Sequence, residues 1–258
     1  LRGASHPADM IAQAAALGLA GIGIADRNSV AGVVRAHVAW KELREAGLAR
    51  DFRLLVGARL VFSDGTPDIA AYPVSRRGWG RLTSLLTRGN LRAKKGGCIL
   101  GLADLAAHAE DLQLIVLEAS SADEQEAQRK PVAYCPPLPL EEAGIPAGGD
   151  ALEQALARLA ARVPGRVWLG AAMLRRGDDA RRLERMAQLA RMHDVPLIAL
   201  NDALYAAPED RPLHDVVTAI RLGTTVQAAG RQLLSNAERH LKPPEEMARL
   251  FAARPEAI

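Results

Sequence analysis

A chain of 258 residues with 49% hydrophobic residues is long enough to bury a full core, as one α/β barrel or as two smaller domains, and one domain is the more economical reading. Thirty-three Lys and Arg against 30 Asp and Glu leave a net charge of +3, which permits contact with nucleic acid without demanding it. Two cysteines, Cys98 and Cys135, show no C-x-x-C spacing, which excludes a disulfide framework and a thiolate zinc site and points to a reducing cytoplasm.

Met10, Ile11, Ala14, Ala15 and Leu17 are spaced for an amphipathic helix that stops at Gly18, and Leu19 to Ala25 reads as a buried strand. Ala31 to Ala46 is helical, and Phe52 to Leu60 is a second strand before the turn Ser63-Asp64-Gly65-Thr66-Pro67. Ile69 to Tyr72 forms a short third strand. Helices are expected over Trp79 to Thr87 and Leu102 to His108, then a strand over Leu112 to Leu117. From Ala119 to Gly149 charged residues and prolines replace any clear period, as in a surface insertion. The helix Ala151 to Val163, the strand Val167 to Gly170, the charged helix Asp178 to His193 and the strand Val195 to Leu200 restore the alternation. A helix near Pro212 and a terminal pair around Pro244 to Ala252 complete the chain. No window approaches the roughly 18 apolar residues of a membrane span. The first residues do not resemble a signal peptide, and the start at Leu1 is that expected of a piece of a longer protein. Alternation of strand and helix over this length argues for a parallel sheet closed into a barrel.

Two strands run abruptly into polar residues, the first at Asp26-Arg27-Asn28-Ser29 and the last at Asn201-Asp202. Polar side chains at the carboxyl end of a buried parallel strand usually serve a site. Around these ends the sequence resembles a family. The run Leu1 to Pro7, then Ala25-Asp26-Arg27-Asn28-Ser29-Val30-Ala31-Gly32-Val33-Val34-Arg35-Ala36-His37, then Leu55-Val56-Gly57-Ala58-Arg59, resembles the amino-terminal PHP (polymerase and histidinol phosphatase) domain of bacterial C-family DNA polymerases. Pro196 to Tyr205 and Pro208 to Val217 agree in order and spacing, and the wording from Asp26 to His37 is similar to the error-prone, damage-inducible branch rather than the replicative alpha subunit.

The resemblance implies a distorted (β/α)7 PHP-type TIM-like barrel, here lacking its first strand, with the PHP domain covering 1–258 and the Pro-rich insertion around 119–149. Metal-binding members hold cations at the carboxyl ends of the strands, where bound water becomes a nucleophile for phosphate esters. This chain departs from that pattern. Asp-His is replaced by Asp26-Arg27, a bridging Glu by Arg59, and Asp-x-His by Asp202-Ala203-Leu204, while Glu118-Ala119-Ser120 supplies at best one oxygen where a ligand His belongs. Arginine cannot coordinate a cation. The reading that follows is a degenerate site with no metal, no catalytic residue and no cofactor in this segment, in which Arg27 or Arg59 supplies positive charge and pairs with Asp26 and Asp202. A plainer reading has both aspartates capping the following helices.

Other candidates have bland readings beside them. None of the six histidines forms a recognised metal spacing, and His214-Asp215 suits a helix end or a packing role. Arg88, Arg92, Lys94 and Lys95 form either a phosphate-touching loop or a solvated one, and Trp40, Trp79 and Trp168 are expected as anchors in apolar segments. The resemblance implies a parent that performs DNA-templated synthesis in damage-induced mutagenesis and translesion repair, with magnesium at a polymerase site outside this segment. Its implied partners are DNA, a sliding clamp and a Y-family-like adaptor, without a membrane. The alternative is an active metal-dependent PHP phosphoesterase or 3'-5' exonuclease.

Overall fold

The computed structural model describes residues 2–48, 50–118 and 150–258. The expected insertion over Ala119 to Gly149 lies outside the described residues, with Cys135 in it, and so does Leu1. All six strands read from the sequence are present: β1 (Gly21–Arg27), β2 (Arg53–Leu60), β3 (Ile69–Pro73), β4 (Leu112–Leu117), β5 (Val167–Ala172) and β6 (Leu197–Leu200). They lie in one mixed sheet in chain order.

The expectation of an all-parallel sheet needs correction. β1 and β2 are parallel, as are β4, β5 and β6, but β3 is antiparallel to both of its neighbours. Parallel neighbours need a crossover of a dozen or more residues. Between β2 and β3 there is only the turn through Asp64-Gly65-Thr66-Pro67, so the chain folds straight back. A Cβ on Gly57 would run into the Ala71 carbonyl and the Tyr72 ring, so only glycine lets β3 approach there. Burial pushes the Tyr72 hydroxyl up to about 12.

The helices are α1 (Pro7–Ala16), α2 (Val33–Glu45), α3 (Arg76–Leu91), α4 (Leu102–His108), α5 (Ala151–Arg162), α6 (Asp179–Met192), α7 (Arg211–Leu222), the one-turn α8 (Val226–Ala229) and α9 (Pro244–Leu250). α3 is longer than Trp79 to Thr87 at both ends. Ser75 caps it by accepting the Gly78 amide at 3.0 Å, and its glycines are packing sites, since a Cβ on Gly78 would collide with the Asp111 carbonyl. α7 ends at Gly223 in the left-handed conformation, φ 65°.

The larger core lies between β2 to β6 and α3 to α6, and takes in Met247, Phe251 and Ala257 from the end of the chain. A smaller one joins α1, β1 and α2 through Ile11, Ala14, Ile24, Ala36 and Phe52, with Leu241. The three tryptophans are half-buried. Trp40 anchors α2 by donating to the Phe52 carbonyl at 2.8 Å.

In a flat sheet β2 and β6 would stand four strand spacings apart, about 19 Å. Yet Arg59 at the end of β2 and Asp202 just after β6 meet at 3.1 Å, so the sheet is curled into half of a barrel. The segment before α1 runs beside the segment after β6: Ala4 N–H donates to the Leu204 carbonyl at 2.8 Å, and the Ser5 hydroxyl accepts the Ala206 amide at 2.8 Å.

Candidate functional site

The curl gathers the polar residues that end the strands. Asp26 accepts the Gly32 amide at 2.6 Å, ahead of the first turn of α2, which is the capping role. Asn28 has φ 46°, a left-handed conformation that Asn tolerates. From there its side chain accepts the Val61 amide at 2.8 Å and donates to the Val61 carbonyl at 3.0 Å. The turn after β1 is thereby fastened to the turn after β2.

Beside it runs a row of alternating charges. Arg27 Nη1 lies 3.5 Å from Asp68 Oδ2, and the same oxygen accepts Arg59 Nε at 2.6 Å. Arg59 Nη1 then donates to Asp202 Oδ1 at 3.1 Å. On its far side Asp202 accepts the Arg239 guanidinium through Oδ2, while Arg239 Nε donates to the Asp202 main-chain carbonyl at 3.0 Å. Arg59 is 11% exposed and Arg239 is buried. Charges this far from water persist only when paired and hydrogen-bonded.

Asp202 is therefore ion-paired and Asp26 caps a helix, so each of the two readings held for one aspartate. Leu204 offers no donor through its side chain; its amide donates to the Arg239 carbonyl and its carbonyl accepts Ala4, both at 2.8 Å. Glu118 is tied to Arg182 at 2.5 Å and to Arg185 at 3.1 Å. Among the described residues no group of three or more His, Cys, Asp or Glu is placed to hold a metal ion. The donor set around Asp202 does not suit a divalent cation: guanidinium groups, which have no lone pair to offer, stand on both sides of the carboxylate.

Three residues of this cluster escaped sequence reading. Asp68 stands directly before β3 as an ordinary turn residue. Arg239 and Lys242 are among the largest fully buried side chains, although Arg and Lys normally mark a surface. Their segment lies along the end of β6, with the Lys242 amide donating to Asn201 Oδ1 at 3.1 Å and Tyr205 bridged to His240. Burial pulls the Lys242 ammonium below its usual range, against the opposing pull of Glu238 and Glu246.

The remaining candidates lie elsewhere. Half of the expected basic loop is spent on an internal pair: Arg88 belongs to α3, Arg92 caps it, and Arg92 grips Asp104 at 2.6 and 3.0 Å. His214 is buried in α7, its ring 5.6 Å from that of Tyr205. Burial lowers its pKa to about 4; Asp215 works against the shift, while Arg239, Arg221 and Arg2 add to it. In the unfolded chain its pKa returns to the ordinary 6.5. Between those values the unfolded state binds the extra proton, so stability is complete above about 6.5 and falls as the pH drops toward 4, by up to about 3 kcal/mol. Unfolding titrations should show this slope flattened in His214→Gln.

The chain is 48% identical over 258 residues to an error-prone DNA polymerase of Rhodopseudomonas palustris strain BisB5. It is 48% identical over 260 residues to one of Brucella abortus and 46% identical over 258 residues to error-prone DNA polymerase 1 of Rhizobium meliloti. Each match covers the whole of this chain. The chain is homologous to a segment of error-prone DNA polymerases. It spans about a fifth of the length of these curated relatives: 21% of the first two proteins and 20% of the third. No protein-family model matches it. Among solved structures, a proposed metal-dependent phosphoesterase from Bifidobacterium adolescentis aligns with a TM-score of 0.49 and 16% identity, over 78% of this chain and 83% of that one. Among the described residues no helix is long and apolar enough to cross a membrane.

Proposed function

We propose that this chain is the PHP domain, residues 1–258, of an error-prone DNA polymerase, and that the domain is metal-free and architectural. Identity of 45–48% along the whole chain to polymerases of that name carries the reading. In it the parent polypeptide works in the cytoplasm, extends DNA on a template during damage-induced and translesion synthesis, and acts with a sliding clamp and a Y-family-like adaptor. The magnesium ions of polymerisation are held outside these residues. The segment itself has no catalytic residue: at Asp26, Arg27, Arg59, Asp202 and Leu204, guanidinium groups and hydrogen bonds do the holding that cations would do in a metal-binding relative.

Two measurements on the full polypeptide test this. Primer extension should show template-directed incorporation. After incubation with manganese or zinc, mass spectrometry should find no stoichiometric metal on this segment, and a phosphodiester substrate should survive the segment intact. Stoichiometric metal here, with hydrolysis abolished by Asp26→Ala and Asp202→Ala, would establish the phosphoesterase or exonuclease reading instead.

A further inference from the structure

α7 is built inside out. Leu213, Val216 and Ile220 recur at the three- and four-residue spacing that lines up one face of a helix, and a stripe of that period normally faces a core. Here they are 52%, 44% and 74% exposed. The face turned inward carries His214, Thr218 and Ala219, all buried. Polar groups have gone in and the aliphatic stripe has stayed out. An outward aliphatic stripe on a helix that already pays to bury a histidine marks a surface with a partner.

The size of the stripe indicates which partner. Three partly exposed aliphatic side chains offer a few hundred Å², short of the roughly 800 Å² that each side gives to a stable interface between separate molecules. A patch this small is enough only for a partner held at high effective concentration, as a covalently attached segment is. The relatives supply that circumstance, because the region matching this chain is 21% of their length. An aliphatic stripe also gives a phosphate backbone nothing to pair with, which disfavours DNA as the occupant.

We propose that the outer stripe of α7 docks against an apolar segment of the same polypeptide lying outside these 258 residues. The inference rests on the reading that the chain is one domain of a longer polymerase. The test introduces single thiols into the full polypeptide by Ile220→Cys and, as references, by Leu91→Cys and Met192→Cys. Leu91 and Met192 are 82% and 67% exposed, so the three positions would be modified at similar rates if nothing covered α7. Maleimide labelling is followed by peptide-resolved mass spectrometry and normalised to the rates in denaturant.

Docking predicts labelling at position 220 at least about tenfold slower than at both references, independent of protein concentration and of added DNA. Equal rates overturn the proposal. So does protection that vanishes on dilution, which would make the occupant a second copy, and protection that requires DNA. Primer extension on the same preparations keeps the two readings apart. Incorporation with equal labelling rates overturns the docking alone, whereas protection without incorporation overturns the polymerase reading and leaves the docking standing.

Discussion

Replacing Arg59 with alanine is expected to lower the stability of the domain by about 3–5 kcal/mol, because removing one member of a buried ionic group leaves its partners uncompensated. The guanidinium lies between Asp68, at 2.6 Å, and Asp202, at 3.1 Å, and no other side chain of the cluster spans the ends of β2 and β6 in this way. Arg27 remains near Asp68 and Arg239 remains on Asp202, which places the effect toward the lower end of that range. Arg59→Lys keeps the charge but loses the planar fork that reaches both carboxylates at once, and should cost about 1–2 kcal/mol. Arg59→Glu sets a third carboxylate beside the other two and should be worse than alanine. Equilibrium urea unfolding at neutral pH ranks the three. A cost below 1 kcal/mol for alanine would show that the guanidinium merely decorates the rim.

Asp202→Ala is expected to have an effect of the same order, about 3–5 kcal/mol, for the mirror-image reason: it leaves Arg59 and the buried Arg239 facing one another without a carboxylate between them. Two causes are mixed in that number, because Asp202 also sits at φ 43°. Alanine in that conformation carries a further penalty of about 1 kcal/mol that asparagine and glycine largely escape. Asp202→Asn therefore isolates the loss of charge, and Asp202→Gly separates the backbone from the side chain. The double variant with Arg59→Ala should cost less than the sum of the two singles by about 1–3 kcal/mol, as expected for residues in one network. Strict additivity in that cycle would mean that the contact between β2 and β6 does not help to close the sheet.

Most of the elements were legible because their signals are local. The six strands are apolar runs bounded by turn residues, and the helix Leu102–His108 was read to the residue. The direction of β3 was less accessible. Direction depends on what connects two strands, and a short turn after a parallel pair had to be weighed against the alternation of the whole chain. The lengthening of α3 was missed because Gly78 and Gly89 look like helix breakers, whereas in the fold they admit close neighbours.

At the site, the sequence by itself determined which residues end the strands: Asp26 and Arg27, Arg59, Asp202 and Leu204 stand where the alternation puts them, and their types already replace imidazole with guanidinium and leucine. Only the tertiary structure decided their partners. Asp26 turned to the amide of Gly32, a few residues away, while Asp202 was claimed by Arg59 across the curl of the sheet and by Arg239, 37 residues downstream. An ion pair of that sequence separation leaves no periodic trace, and a buried arginine reads as a surface residue until the strand it lies against is known. Pattern in a sequence records which face a residue occupies. The charge that will meet it there depends on how the sheet bends.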